Sequence, residues 1–264
     1  MRKKKNLEPR LGRCESITVS DPASLRGNWR SLFPEAKALW VELGCGKGRF
    51  AVEMAKQNPE VLYIALEREP SAVITAMESA MRENVANLFF VVDDAVGLPE
   101  FFAAGEADRL FINFCDPWTH GKRFKRRLTH RNFLFSYARI LAADAHLCFK
   151  TDNHELFLFS VLEAVESGLK VIDLTHDLHK TAIPNVMTEY EMKFSAAGLP
   201  IYRMEAVFPA DMIAHALEIA ETLDSDEAGD TPKSSRLKRL PADPWVKAES
   251  DKGIGSDSEP SQSV

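Results

Sequence analysis

The sequence predicts an α/β domain with a mostly parallel sheet of about seven strands and helices on both faces. Three observations predict it. From residue 38 onward, short apolar runs alternate with amphipathic stretches of helical spacing. The first run leads into a glycine-rich turn, Gly44-Cys45-Gly46-Lys47-Gly48, which precedes a helical stretch. Acids stand at the ends of three successive runs, Glu42, Glu67 and Asp94, where parallel sheets meet their ligands.

The elements follow in order. Strands are expected at 38–43, 61–66, 88–92, 110–114 and 145–149, with helices at 71–82, 131–141 and 154–166. Runs at 169–174 and 201–207 extend the sheet, with one antiparallel edge strand. Residues 211–223 read as a last amphipathic helix. Before the domain, residues 1–34 form a basic arm and lead-in. Within it, residues 1–13 carry Arg2, Lys3, Lys4, Lys5, Arg10 and Arg13 against only Glu8, and read as flexible. The domain proper is expected over 35–223. Residues 224–264 are rich in Ser, Asp, Lys and Pro and poor in apolar side chains, which predicts a disordered tail.

Composition narrows the function classes. Apolar content of 45% and charged content of 27% are ordinary for a soluble domain. No run approaches the roughly 18 apolar residues of a membrane span. The basic N-terminus lacks the apolar stretch of a secretory signal, so a cytoplasmic location is the default. Cys14, Cys45, Cys115 and Cys148 are too scattered for a zinc site or a disulfide framework. The histidines show no metal-binding spacing, so no metal is expected. A monomer and a homodimer are both compatible with the sequence.

A net charge of −6 argues by itself against nucleic-acid binding, yet its distribution argues for it. No acid lies between Asp116 and Asp144, whereas Lys122, Arg123, Lys125, Arg126, Arg127, Arg131 and Arg139 all do. Phe124 interrupts the run. Cations around an aromatic residue suit phosphate contact; a solvated charged face is the alternative.

The glycine-rich turn lets the backbone approach a ligand closely, and the helix N-terminus behind it faces that ligand. Glu42, just before Gly44 and Gly46, can meet a cationic amino or sulfonium group. Glu67, about twenty residues on, can accept both ribose hydroxyls. Asp94 can meet an adenine edge. This set of acids favours S-adenosyl-L-methionine over a nicotinamide dinucleotide, whose pyrophosphate sits badly beside Glu42. A purely structural turn is the third reading.

The next strand end carries Asp116-Pro117-Trp118. An acid before proline is commonly a turn or cap residue, but this one adjoins the crevice where a substrate sits. Trp118 can stack on a base, or serve as a core or lid aromatic. His120 can touch substrate or lie in solvent. Two further clusters, Lys150-Thr151-Asp152 and Thr188-Glu189-Tyr190-Glu191, add carboxylates able to recognise the N–H edge of guanine.

Glu42 to Gly48, Asn113 to Trp118, Lys125 to Leu128 and Thr188 to Phe194 together resemble the bacterial tRNA (guanine-N7)-methyltransferase family, in order and near its usual spacing, over about residues 35 to 205. The resemblance implies a Rossmann-like methyltransferase that uses S-adenosyl-L-methionine to methylate a guanine in the tRNA variable loop. It implies that Glu42, Glu67, Asp94 and Asp116 hold the cofactor and that Asp116 is catalytic. It further implies substrate contact from Asp152 and Thr188 to Glu191, and RNA contact from Lys122 to Arg127. The family often has lysine two residues after the tryptophan, where this chain has His120.

Three rivals were weighed. An adenine amino-methylating enzyme would carry a second proline where Trp118 stands. A non-catalytic RNA-binding module would have no need for acids at 42, 67, 94 and 116. A nicotinamide oxidoreductase is disfavoured by the basic substrate side.

Overall fold

A computed structural model describes residues 6–226 and 244–245. Seven strands form one sheet in the order β3-β2-β1-β4-β5-β7-β6. These are β1 (Ala38–Leu43), β2 (Val61–Leu66), β3 (Leu88–Val91), β4 (Ala107–Asn113), β5 (Leu141–Thr151), β6 (Lys170–Thr175) and β7 (Tyr202–Val207). The first five run parallel to one another. The chain steps outward from β1 to β3, then crosses back to lay β4 on the other side of β1. That reversal opens a crevice at the carboxyl ends of β1 and β4.

Strand alternation decides what fills each face. Leu39, Val41 and Leu43 of β1 join a core with Leu110, Ile112, Leu147 and Phe149. It is covered by α4 (Leu98–Phe101), α5 (Arg131–Ala138), α6 (His154–Glu166) and α8 (Ala210–Asp226). Tyr63, Ala65 and Phe111 point the other way, under α2 (Arg49–Gln57) and α3 (Pro70–Arg82). Glu42 has the parity of that second face, so a carboxylate ends up beneath the helix that follows the glycine-rich turn.

Several expectations are corrected. Residues 7–13 do not form a flexible arm: they fold as α1 (Leu7–Arg13). Arg10 grips Glu78 of α3 through two hydrogen bonds of 2.7 and 2.6 Å, while Leu7 and Leu11 pack on the α2/α3 core. The antiparallel strand is β7, which lies between β5 and β6 and not at the edge. The expected helix at 131–141 stops at Ala138, because Leu141 already begins the eleven-residue β5. A helix unforeseen in the sequence, α7 (Glu189–Ala196), follows Thr188. Most of the expected tail lies outside the described residues. Within it, Pro244 is buried, and the Trp245 ring meets Phe135 edge-on at 5.5 Å while its carbonyl lies 2.9 Å from His215 Nε2.

Candidate active site

The glycine-rich turn crosses the mouth of the crevice. Gly44 and Gly46 have φ of 75° and 58°, and nothing lies within 4 Å of where their Cβ atoms would be. The space above them is therefore open to a ligand. Gly48 differs: a Cβ there would lie 2.2 Å from Ala76 Cβ, so its hydrogen lets α2 and α3 meet.

Acids surround this turn. Glu42 is 1% exposed and receives hydrogen bonds from Asn113 Nδ2 at 3.1 Å and the Tyr63 hydroxyl at 3.3 Å. Burial pushes its pKa up to about 7, against the opposing pull of those two donors and of Lys150. Glu67 accepts from the Gly46 N–H at 3.0 Å and, with its other oxygen, from the Glu69 N–H at 3.0 Å. Glu189 accepts from the Arg49 N–H at 3.3 Å, which brings the start of α7 against the start of α2. Burial lifts the Cys45 thiol far above its usual range, and Glu42, Glu67 and Glu189 add to that shift. The thiol is no nucleophile.

A second group of acids stands one strand further on. Asp94 caps a short 3₁₀ turn by accepting from the Val96 N–H at 3.1 Å. Asp116 is 66% exposed. Arg68, absent from the sequence-based candidates, bridges them: its guanidinium lies 3.9 Å from Asp94 and 3.6 Å from Asp116. The loop holding Asp116 is strained, since Phe114 and Trp118 on either side have φ of 53° and 43°. Non-glycine residues adopt that region only where surroundings enforce it. Arg127 is one enforcer, donating from Nε to the Pro117 carbonyl at 2.8 Å. Tyr190, half-exposed, faces Phe114 at 5.4 Å and Phe194 at 4.4 Å. Asp116 and Asp152 both raise its pKa, after burial, so α7 brings an aromatic ring to the same place as those two acids. A hollow of about 260 Å3 adjoins, lined by Asp116, Pro117, Trp118, Thr119, His120 and Arg123.

The basic run divides. Arg123 and Lys125 are exposed in the 3₁₀ segment Gly121–Arg126; Lys122 lies in it too, its side chain outside the described set. Arg126 stacks over Trp118 at 4.6 Å. Arg127 is 5% exposed, packed on Phe159 at 4.5 Å and bonded to Glu155 at 3.2 Å, so it props the loop and does not face outward. The Thr188 to Glu191 cluster divides as well. Thr188 and Glu191 form a capping box at the start of α7, and Glu191 is 0% exposed. Glu191 points into the protein, Thr188 is half-buried at the helix start, and Glu189 and Tyr190 are exposed.

No group of three or more His, Cys, Asp or Glu residues able to hold a metal occurs among the described residues. None of the described helices is long and apolar enough to cross a membrane.

A glycine-rich turn at the switch point of a doubly wound sheet, ringed by acids, is compatible with an α/β methyltransferase. Two solved structures share this fold: the 16S rRNA methyltransferase KamB, with TM-score 0.54 and 15% identity over 69% of this chain and 92% of that one, and an antibiotic-related methyltransferase, with TM-score 0.55 and 19% identity over 73% and 96%. A family model described as "Putative methyltransferase" matches residues 36–204. The tRNA (guanine-N(7)-)-methyltransferase of Geobacillus kaustophilus is 41% identical over 79% of this chain and 97% of its own length. That of Oceanobacillus iheyensis is 42% identical over 73% and 91%, and that of Bacillus cytotoxicus 39% over 77% and 94%. The chain belongs to the tRNA (guanine-N7)-methyltransferase family.

Proposed function

We propose that the protein transfers a methyl group from S-adenosyl-L-methionine to N7 of a guanine in the variable loop of tRNA, through the domain at residues 35–223. The observation that carries this reading is the two-part acid crevice, Glu42, Glu67 and Glu189 around the open glycine turn and Asp94 and Asp116 beside it, next to exposed Arg123 and Lys125.

The residues suit such a donor. Open space over Gly44 and Gly46 admits it, Glu67 is at the strand end suited to ribose hydroxyls, and the remaining acids favour cationic groups. Bound there, S-adenosyl-L-methionine supplies a methyl group on a positively charged sulfur.

Guanine N7 is an acceptor with a free lone pair, so no general base is required. The side chains have two tasks. One is to hold the base in line, an orienting effect that can supply several kcal/mol. Tyr190 offers a ring face, and Asp152 and Asp116 offer acceptors for guanine N–H groups. The other is to favour the positive charge that the purine gains, which a fixed carboxylate at Asp116 does. Arg123, Lys125 and Arg126, with Lys122 beside them, take the phosphates. His120 lines the hollow where the family often has lysine.

Incubating the protein with methyl-labelled donor and an unmodified tRNA transcript tests the reading. Label should enter guanine in the wild type and fall sharply in Asp116→Ala. Label in adenine, or none at all, would refute it.

A further inference from the structure

We propose that Lys150 is a positioning residue: buried at the end of β5 and paired with the α7 acid Glu191, it ties α7 to the sheet and so fixes Glu189 and Tyr190 at the crevice. The inference rests on the proposed methyl transfer and adds a residue to it.

Lys150 ends β5 at its carboxyl side, and its side chain is 7% exposed. Its ammonium donates to Glu191 Oε2 at 2.8 Å, to Asn185 Oδ1 at 2.9 Å and to the Val186 carbonyl at 2.9 Å. A lysine has three N–H donors, and all are used. The ammonium also lies over the Phe50 ring of α2, at 4.8 Å from its centre. One side chain thus joins β5, the loop before α7, α7 itself and α2.

Glu191 is equally committed. Its Oε1 accepts from Asn185 Nδ2 at 2.5 Å and lies 3.2 Å from His179 Nε2, and its Oε2 receives the Thr188 N–H at 3.4 Å. The consequence lies in the first turn of α7. Three consecutive residues point three ways: Glu189 to the α2 N–H of Arg49, Tyr190 to Phe114 of the Asp116 loop, and Glu191 inward to Lys150. Fixing the third fixes the first two. The helix is only eight residues long and weakly amphipathic, with Glu191 its one buried residue. Apolar burial does not hold it down; the buried ion pair does.

Lys150→Met tests this. Thermal melting, donor titration by calorimetry and steady-state kinetics with tRNA are read on one preparation. The expected result is a folded protein binding one donor more weakly than wild type, with kcat lowered about 100-fold, the scale of a misplacement near 1 Å. Lys150→Arg, which keeps the charge, should recover much of it. A folded Lys150→Met with full donor stoichiometry and wild-type donor affinity and kcat would overturn the proposal. Should Lys150→Met not fold, Glu191→Gln keeps the shape and removes the charge: a lowered kcat at full donor stoichiometry supports the tie, and wild-type kinetics overturn it. A wild-type protein that neither binds donor nor methylates tRNA would instead refute the function proposed above.

Discussion

The proposed chemistry turns on Asp116, and its exposure makes it testable. Among the described residues its ion pair is with Arg68, at 3.6 Å from a 66% exposed side chain, too weak to matter for stability. Asp116→Ala should therefore cost about 10²–10³ in kcat while the free energy of unfolding, from urea titration, stays within about 0.5 kcal/mol of wild type. Glu42 makes a pH prediction. Its folded pKa, about 7, stands above the ordinary 4.5. The neutral form costs nothing below pH 4.5; the penalty grows as pH rises through that window and is complete above about 7. In urea melts, Glu42→Gln should gain on wild type by up to a few kcal/mol between about pH 5 and pH 8. A pH-independent difference would contradict the assignment. The strand-end acids were legible because a parallel sheet delivers each strand's carboxyl end to one edge. The inward turn of Arg127 and Glu191 was not, since a run of like residues does not say which member a carbonyl or a lysine will claim. Arg68 escaped notice for a similar reason: its partners are distant in sequence.

At the scale of elements, the glycine turn does two separate things. Gly44 and Gly46 leave room above the backbone, while Gly48 leaves room below it, against Ala76 of α3. Gly48→Ala combines a 2.2 Å clash with a φ of 82° and should destabilise by about 2–4 kcal/mol in chemical denaturation. The apolar runs marked five parallel strands well, because burial on both faces leaves long hydrophobic stretches. The α7 helix was invisible as a helix: its sequence lacks a clear apolar stripe, and it is held by a capping box and an ion pair. The position of β7 was hidden because register with β5 and β6 depends on long-range pairing. Its polar side chains satisfy one another there, Arg203 with Asp173 and Glu205, and His146 with Glu205.

The whole molecule carries a charge of −6 yet presents exposed cations beside the crevice. Reversing Arg123 and Lys125 to Glu should weaken tRNA binding and flatten its dependence on salt, as lost phosphate contacts do. Arg127→Ala should act differently, lowering stability by about 1–3 kcal/mol through the lost hydrogen bond to the Pro117 carbonyl and the lost packing on Phe159. An unchanged salt slope in the Arg123/Lys125 variant would argue against phosphate contact there. Trp245 closes on Phe135 and His215, within a segment whose composition reads as unstructured. One aromatic among polar residues is too sparse a signal to reveal that contact.

The acid crevice is proposed to direct a methyl group to N7 of one guanine. Borohydride reduction followed by aniline cleaves RNA at N7-methylguanosine and at no unmodified nucleoside. Applied to a tRNA transcript treated with the protein and S-adenosyl-L-methionine, it should give a single scission in the variable loop, formed about 10²–10³ times more slowly with Asp116→Ala. Methyl incorporation without scission, or a cut formed at the wild-type rate by Asp116→Ala, is the contrary result.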